Sequence, residues 1–168
     1  MDLLPLRPGI KNPLFWREEP LVRAKWDKIR KPILERDNYT CRYCGHFAQI
    51  HQIVHHLKAD NDHSSKNLVT CCVACHAVQH IGRNLGLGCI EIWESPHSQV
   101  EIVRLTREGV KKKKTLSQIK KTLKLKRGQY PATSVQYANS LLKKSKQPNF
   151  YLSEPLVAVF VRLKRWQV

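Results

Sequence analysis

The chain has no unbroken run of about 18 apolar residues, so a membrane-spanning helix is not expected. It is also short of acidic side chains, with 13 Asp and Glu against 30 Lys and Arg and a formal charge of +17. Aromatics make up only 8% of its 168 residues. Its lysine tracts therefore lack the amphipathic aromatic anchors of a peripheral membrane protein, and no membrane partner is expected. The opening residues, Met1-Asp-Leu-Leu-Pro-Leu-Arg-Pro, lack the apolar core of a cleaved signal peptide. Six cysteines without an export signal belong in a reducing, cytoplasmic compartment, where thiolates bind metal more often than they form disulfides. No internal repeat is present.

The basic excess attracts polyphosphate, so DNA is the leading partner expected, with RNA the other nucleic acid the charge fits. An acidic protein surface competes for the same role through the basic tail. Solubility alone needs a far smaller net charge. Nothing in the residues fixes an oligomeric state.

Along the chain, residues 1–20 hold four of the nine prolines and read as an extended arm, with Leu14, Phe15 and Trp16 docking on the domain behind it. Residues 21–88 form the expected central domain. Its leading segment carries Trp26, Ile29, Ile33 and Leu34 at near-helical spacing, interrupted by Pro32, as one kinked helix or two short ones. Residues 89–168 form a basic C-terminal extension. There Cys89-Ile-Glu-Ile-Trp and Val100-Glu-Ile-Val-Arg-Leu alternate around Ser95-Pro-His-Ser, which predicts a β-hairpin. Residues 104–146 contain fourteen Lys and Arg and one acidic residue, Glu108. Thr115 is placed to cap a helix through Leu116, Ile119 and Leu123, and Thr133 or Ser134 to cap a second one through Leu142. The connection between them, residues 126–132, is longer than a helix-turn-helix uses. Residues 156–163 fit either a helix opening at Ser153 or a buried strand.

Two Cys-x₂-Cys pairs, Cys41/Cys44 and Cys72/Cys75, stand 27 residues apart. Two intervening residues let each pair turn both thiolates toward one ion, and two pairs complete a closed tetrahedron, so a structural Zn²⁺ is expected. Gly45 follows the first pair where a tight knuckle favours positive φ. Cys71 and Cys89 read as buried packing residues. Val54-His55-His56 closes a strand, so successive side chains face opposite ways. His76 and His80 lie four apart on a helix, on one face, which suits two imidazoles on one divalent ion. His46, His51, His63 and His97 match no pattern and read as surface residues. Asp60 and Asp62 read equally as loop residues or groups near the site.

These residues together resemble the HNH endonuclease family. The similarity runs through Arg36-Asp37-Asn38-Tyr39-Thr40-Cys41-Arg42-Tyr43-Cys44-Gly45, Val54-His55-His56, Asn67-Leu68-Val69 and Cys72-Val-Ala-Cys75-His76, about a third of the chain. The resemblance implies an α+β fold: a small, zinc-stabilised, treble-clef-like ββα-metal core. It implies a DNA phosphodiesterase in which His56 is the general base on water and Asn67 holds the loop and orients that base. His55 and His76 would hold a catalytic metal. His80 has a counterpart only in some members, notably the nuclease bacteriocins. The position of His55 is often Asp in the family. An imidazole there makes the site less anionic and softer, moving its preference from Mg²⁺ towards Mn²⁺, Ni²⁺ or Zn²⁺. The rival reading is a non-catalytic zinc-ribbon protein that binds nucleic acid as an accessory subunit.

Overall fold

The structure, a computed structural model, describes residues 2–11, 23–58, 62–127, 140 and 149–166. It is a mixed helix-and-strand fold. In chain order its elements are β1 (Gly9–Lys11), α1 (Arg23–Arg36), β2 (Gln52–His56), β3 (Leu68–Cys72), α2 (Val73–Gln79), α3 (Ile81–Gly86), β4 (Ile90–Glu94), α4 (Gln99–Lys111), α5 (Leu116–Thr122), β5 (Asn149–Tyr151) and β6 (Leu156–Phe160). Among the described residues the strands pair antiparallel in three two-stranded sheets, β1 with β5, β2 with β3 and β4 with β6. No helix among them is long and apolar enough to cross a membrane.

The leading segment is one helix with Pro32 inside it. Its Ile33 and Leu34 pack with Val54 of β2 and Leu68 of β3, flanked by Trp26 and Ile29. The N-terminal arm is tied down where Ile10 pairs with Phe150 and buries its side chain. Leu14, Phe15 and Trp16 lie outside the described residues, as does most of the second C-terminal helix expected near 133–142.

The expected hairpin is corrected. Its first arm is β4, but its second is helix α4, and β4 pairs with β6 instead. Ile102, Val103 and Thr106 are buried at helical spacing, whereas Val100 and Ile102 with Glu101 between them mimic the alternation of a strand. The deciding signal lies just ahead of them. Ser98 and Glu101 form a reciprocal capping box that satisfies the helix's first free N–H groups. Thr115 and Gln118 do the same for α5, as expected of Thr115. Residues 156–160 take the strand alternative, where β-branched Val157 and Val159 suit a buried pleated surface.

Packing runs across residue 88. One core joins Leu6 and Ile10, both cysteine knuckles, Ile81 and Leu85 of α3, Ile90 and Ile92 of β4, Val103 of α4, Phe160 and Trp166. The α4–α5 crossing is close enough that a Cβ on Gly109 would stand 2.5 Å from Ile119 Cγ1, so glycine is required there. Lys120 fastens α5 to β4, its Nζ 2.6 Å from Glu91 Oε2 and 5.0 Å from the Trp93 ring centre.

A buried carboxylate joins the leading helix to the first knuckle. Asp37, 1% exposed, accepts from Arg36 Nε at 2.9 Å and from the Thr70 backbone N–H at 2.8 Å, with Arg42 Nη1 3.5 Å away. Burial pushes its pKa up, but the Arg36 and Thr70 hydrogen bonds outweigh this and hold it below the ordinary 3.8. The carboxylate's stabilisation is therefore complete above that ordinary value and is lost as the pH falls through the lower, folded one. Asp37→Ala is expected to cost about 1.5–3 kcal/mol, the range for hydrogen bonds to a charged group. Chemical denaturation at pH 7 measures the loss, and the difference from wild type should shrink on acidification below pH 3.8.

Candidate metal centres

The first knuckle is a turn closed by backbone bonds, from Gly45 N–H to Cys41 O and from Cys41 N–H to His46 O, each 2.9 Å. Gly45 has φ +74°, the left-handed conformation expected of it. A bond from Arg42 N–H to Thr70 O, 2.9 Å, lays this knuckle beside β3. The second knuckle forms where β3 becomes α2, with Cys72 ending the strand and Cys75 in the helix's first turn. The four sulfurs of Cys41, Cys44, Cys72 and Cys75 lie within 4.8 Å of one another and all four residues are buried. This cluster can hold a structural metal such as zinc, whose closed tetrahedral sites take four soft thiolates. Cys71 and Cys89 are buried outside it.

The cluster's electrostatics are those of thiols competing for charge. The thiol pKa of Cys44 is drawn far below the usual range, first by hydrogen bonding from Cys41, then from Cys72 and Cys75, with the Arg107 charge adding to it. Cys41 is pushed up to about 12, chiefly through its hydrogen bond to Cys44. Cys72 and Cys75 also rise, through bonds to Cys41 and Cys44. A metal bound at this cluster would therefore displace protons.

A second cluster uses another face of the same helix. His76 follows Cys75, a turn of about 100° around α2, so one helix serves both clusters. His55, His76 and His80 bring ring nitrogens within 4.8 Å of one another. Their ring centres are 5.5 Å apart for His55–His76 and His55–His80 and 4.4 Å for His76–His80. His55 is 4% exposed and the other two are half-buried. His80 sits at the break between α2 and α3, fixed by Asn84, whose Nδ2 donates to His80 O at 2.9 Å. Three imidazoles can hold a divalent ion and leave its fourth position for water or substrate. His80 thus joins the cluster on equal terms with His55 and His76.

The neighbouring His56 turns to other partners, as strand alternation requires. It stacks on Trp26 of α1, ring centres 5.6 Å apart, and its Nε2 lies 3.0 Å from His63 Nδ1. The surface reading of His63 is corrected: it is half-buried against His56 and Trp26. No local pattern reveals this residue, because it reaches His56 only through the closure of the β2–β3 loop. Asn67 makes that closure. Its backbone O accepts from Leu57 N–H at 2.8 Å, its Oδ1 from Lys58 N–H at 2.9 Å, and its Nδ2 donates to Asp62 O at 2.8 Å. Asp62 is exposed and caps Ser64, and Asp60 lies outside the described residues. His51 is exposed as expected, but the surface reading of His46 and His97 is corrected: both are half-buried, His46 by its place in the first knuckle, and neither belongs to either ligand set.

No family model matches the chain. Type 4 apparatus protein DotN of Legionella pneumophila subsp. pneumophila (strain Philadelphia 1) is 32% identical to it over 69 residues, 39% of this chain and 32% of DotN. The chain is thus similar to a curated protein of which it spans about a third.

Proposed function

We propose that the chain is a metal-dependent endonuclease that hydrolyses DNA phosphodiester bonds on an HNH-like, ββα-metal core. The observation that carries this reading is the convergence of His55, His76 and His80 beside a fourth histidine, His56, held by separate partners. The succession of β2, β3 and α2 supports the ββα reading. The donor set fits Mn²⁺, Ni²⁺ or Zn²⁺ better than Mg²⁺, because three imidazoles are softer than carboxylates. A divalent ion held there would stabilise charge on the scissile phosphate and the leaving oxygen. His56 would take a proton from the attacking water, and Asn67 would keep its loop closed so that His63 and Trp26 fix the ring. Cleavage of plasmid DNA on addition of Mn²⁺, stopped by chelator, is the expected result. No cleavage with Mg²⁺, Mn²⁺, Ni²⁺ or Zn²⁺ would reject the enzyme.

The DNA would lie against the basic segment. Lys111, Lys112, Lys113, Lys114, Lys121, Lys124, Lys126 and Arg127 are exposed on and after α4 and α5. Arg107, counted among the basic residues of this segment, points inward and is buried. Lysine is a strongly hydrated point charge suited to phosphates rather than bases. With about five phosphates contacted, log K should fall with log salt at a slope near −4 to −5, about −0.9 for each. Replacing Lys111 to Lys114 with alanine should flatten that slope and weaken all sequences alike, while cleavage at saturating DNA survives. An unchanged slope would assign the segment to an acidic protein partner instead.

The similarity to DotN favours a second reading, a non-catalytic zinc-ribbon accessory subunit that binds nucleic acid or protein within a larger apparatus. Retained zinc and DNA binding without cleavage would select it.

A further inference from the structure

Among the side chains that the nuclease reading leaves unused, Arg107 has the most unusual surroundings. It is a guanidinium 7% exposed, on the buried face of α4, far in sequence from both knuckles. Its Nη2 stands 3.2 Å from Cys72 Sγ and its Nη1 3.5 Å from Cys44 Sγ, so one planar fork reaches a sulfur of each Cys-x₂-Cys pair. Its Cζ lies 5.3 Å from the ring centre of Trp166, which in turn packs edge-on against Phe160 of β6. One turn earlier on α4, Arg104 Nε donates to Cys44 O at 3.1 Å.

Four thiolates around Zn²⁺ carry a net charge of −2, an expensive load in a core shared with Ile81, Ile90 and Phe160. We propose that Arg107 is the charge-compensating outer partner of the zinc centre, and that through it zinc occupancy and the docking of α4 and Trp166 stabilise each other. Two donated hydrogen bonds draw charge from Cys44 and Cys72 and keep their sulfurs turned to the ion. The same bonds hold the helix that leads into Lys111, Lys112, Lys113 and Lys114. The coupling is reciprocal, so whatever loosens α4 at Arg107 also weakens zinc, and zinc loss releases α4. This inference rests on zinc at the four cysteines and is independent of the nuclease reading.

The test uses the full, zinc-loaded chain and the chromogenic chelator 4-(2-pyridylazo)resorcinol. Arg107→Met should release zinc about 10–100-fold faster, the usual effect of losing an outer-shell partner. Arg107→Lys should fall between, because lysine keeps the charge without the fork. Val103→Ala loosens the same helix but leaves the Arg107 fork on the sulfurs, and should accelerate zinc release less than Arg107→Met does. Hydrogen exchange over residues 99–111 should rise when zinc is withdrawn from the wild type. Release from Arg107→Met at the wild-type rate would overturn the proposal. So would equal acceleration by Val103→Ala, or exchange in α4 indifferent to zinc. Should Arg107→Met not fold, Arg107→Lys decides: faster release supports the assignment, and the wild-type rate refutes it.

Discussion

Cys72→Ala is expected to lose stoichiometric zinc and, with it, the cooperative fold. Folding free energy from a structural zinc is on the order of 10 kcal/mol. A domain's whole stability is about 5–15 kcal/mol, so little remains to hold the chain once the site is broken. The position aggravates the loss. Cys72 ends β3, precedes α2 and pairs opposite Gln52, so it joins the only partner strand that β2 has among the described residues to the helix that both clusters share. A two-stranded sheet is marginal in water without such support. The substitution also leaves Arg107 buried with Nη2 deprived of its sulfur. Metal analysis of the purified variant, thermal denaturation with and without added zinc, and circular dichroism would measure it. A zinc-free Cys72→Ala protein melting with the wild type would reject the structural role. Because the metal-free cluster draws only Cys44 down while pushing Cys41, Cys72 and Cys75 up, zinc uptake should release protons and weaken on acidification.

What the sequence revealed and what it hid divide along one line. Features set by near neighbours were legible: the two knuckles from their spacing, positive φ at Gly45, the cap at Thr115, and the proximity of His76 and His80 from a four-residue interval. Features that need a distant partner were not. The segment after Ser98 alternates well enough to pass for a strand, and only the capping box tips it to helix. That box is written in the sequence as Ser98 and Glu101, three residues apart. Arg107 reads as one cation in a basic tract until α4 turns it toward Cys44 and Cys72. His63 reads as a loop residue until Asn67 closes the loop over His56. Asp37 lies four residues before Cys41 in the sequence, but its bond to Thr70, 33 residues away, appears only in three dimensions.

On the proposed nuclease reading, His56→Ala is expected to lower DNA cleavage by about 10²–10⁴-fold, the usual contribution of a positioned general base, while leaving DNA affinity nearly unchanged. A base acts on water in the transition state, so its removal should lower turnover and not binding. Zinc at the four cysteines should be unaffected, because His56 faces Trp26 and His63 and the sulfur cluster draws on other side chains. His55→Ala and His76→Ala should behave differently. Each removes one of three converging nitrogens, so each should weaken the second ion and be partly rescued by added Mn²⁺. His56→Ala should not be rescued by Mn²⁺ at any concentration. Single-turnover cleavage at saturating DNA, together with equilibrium binding in the presence of chelator, separates the two classes. Full activity in His56→Ala would exclude it as the base and point to water activated without a side-chain base. Loss of binding in step with cleavage would instead assign His56 to substrate contact.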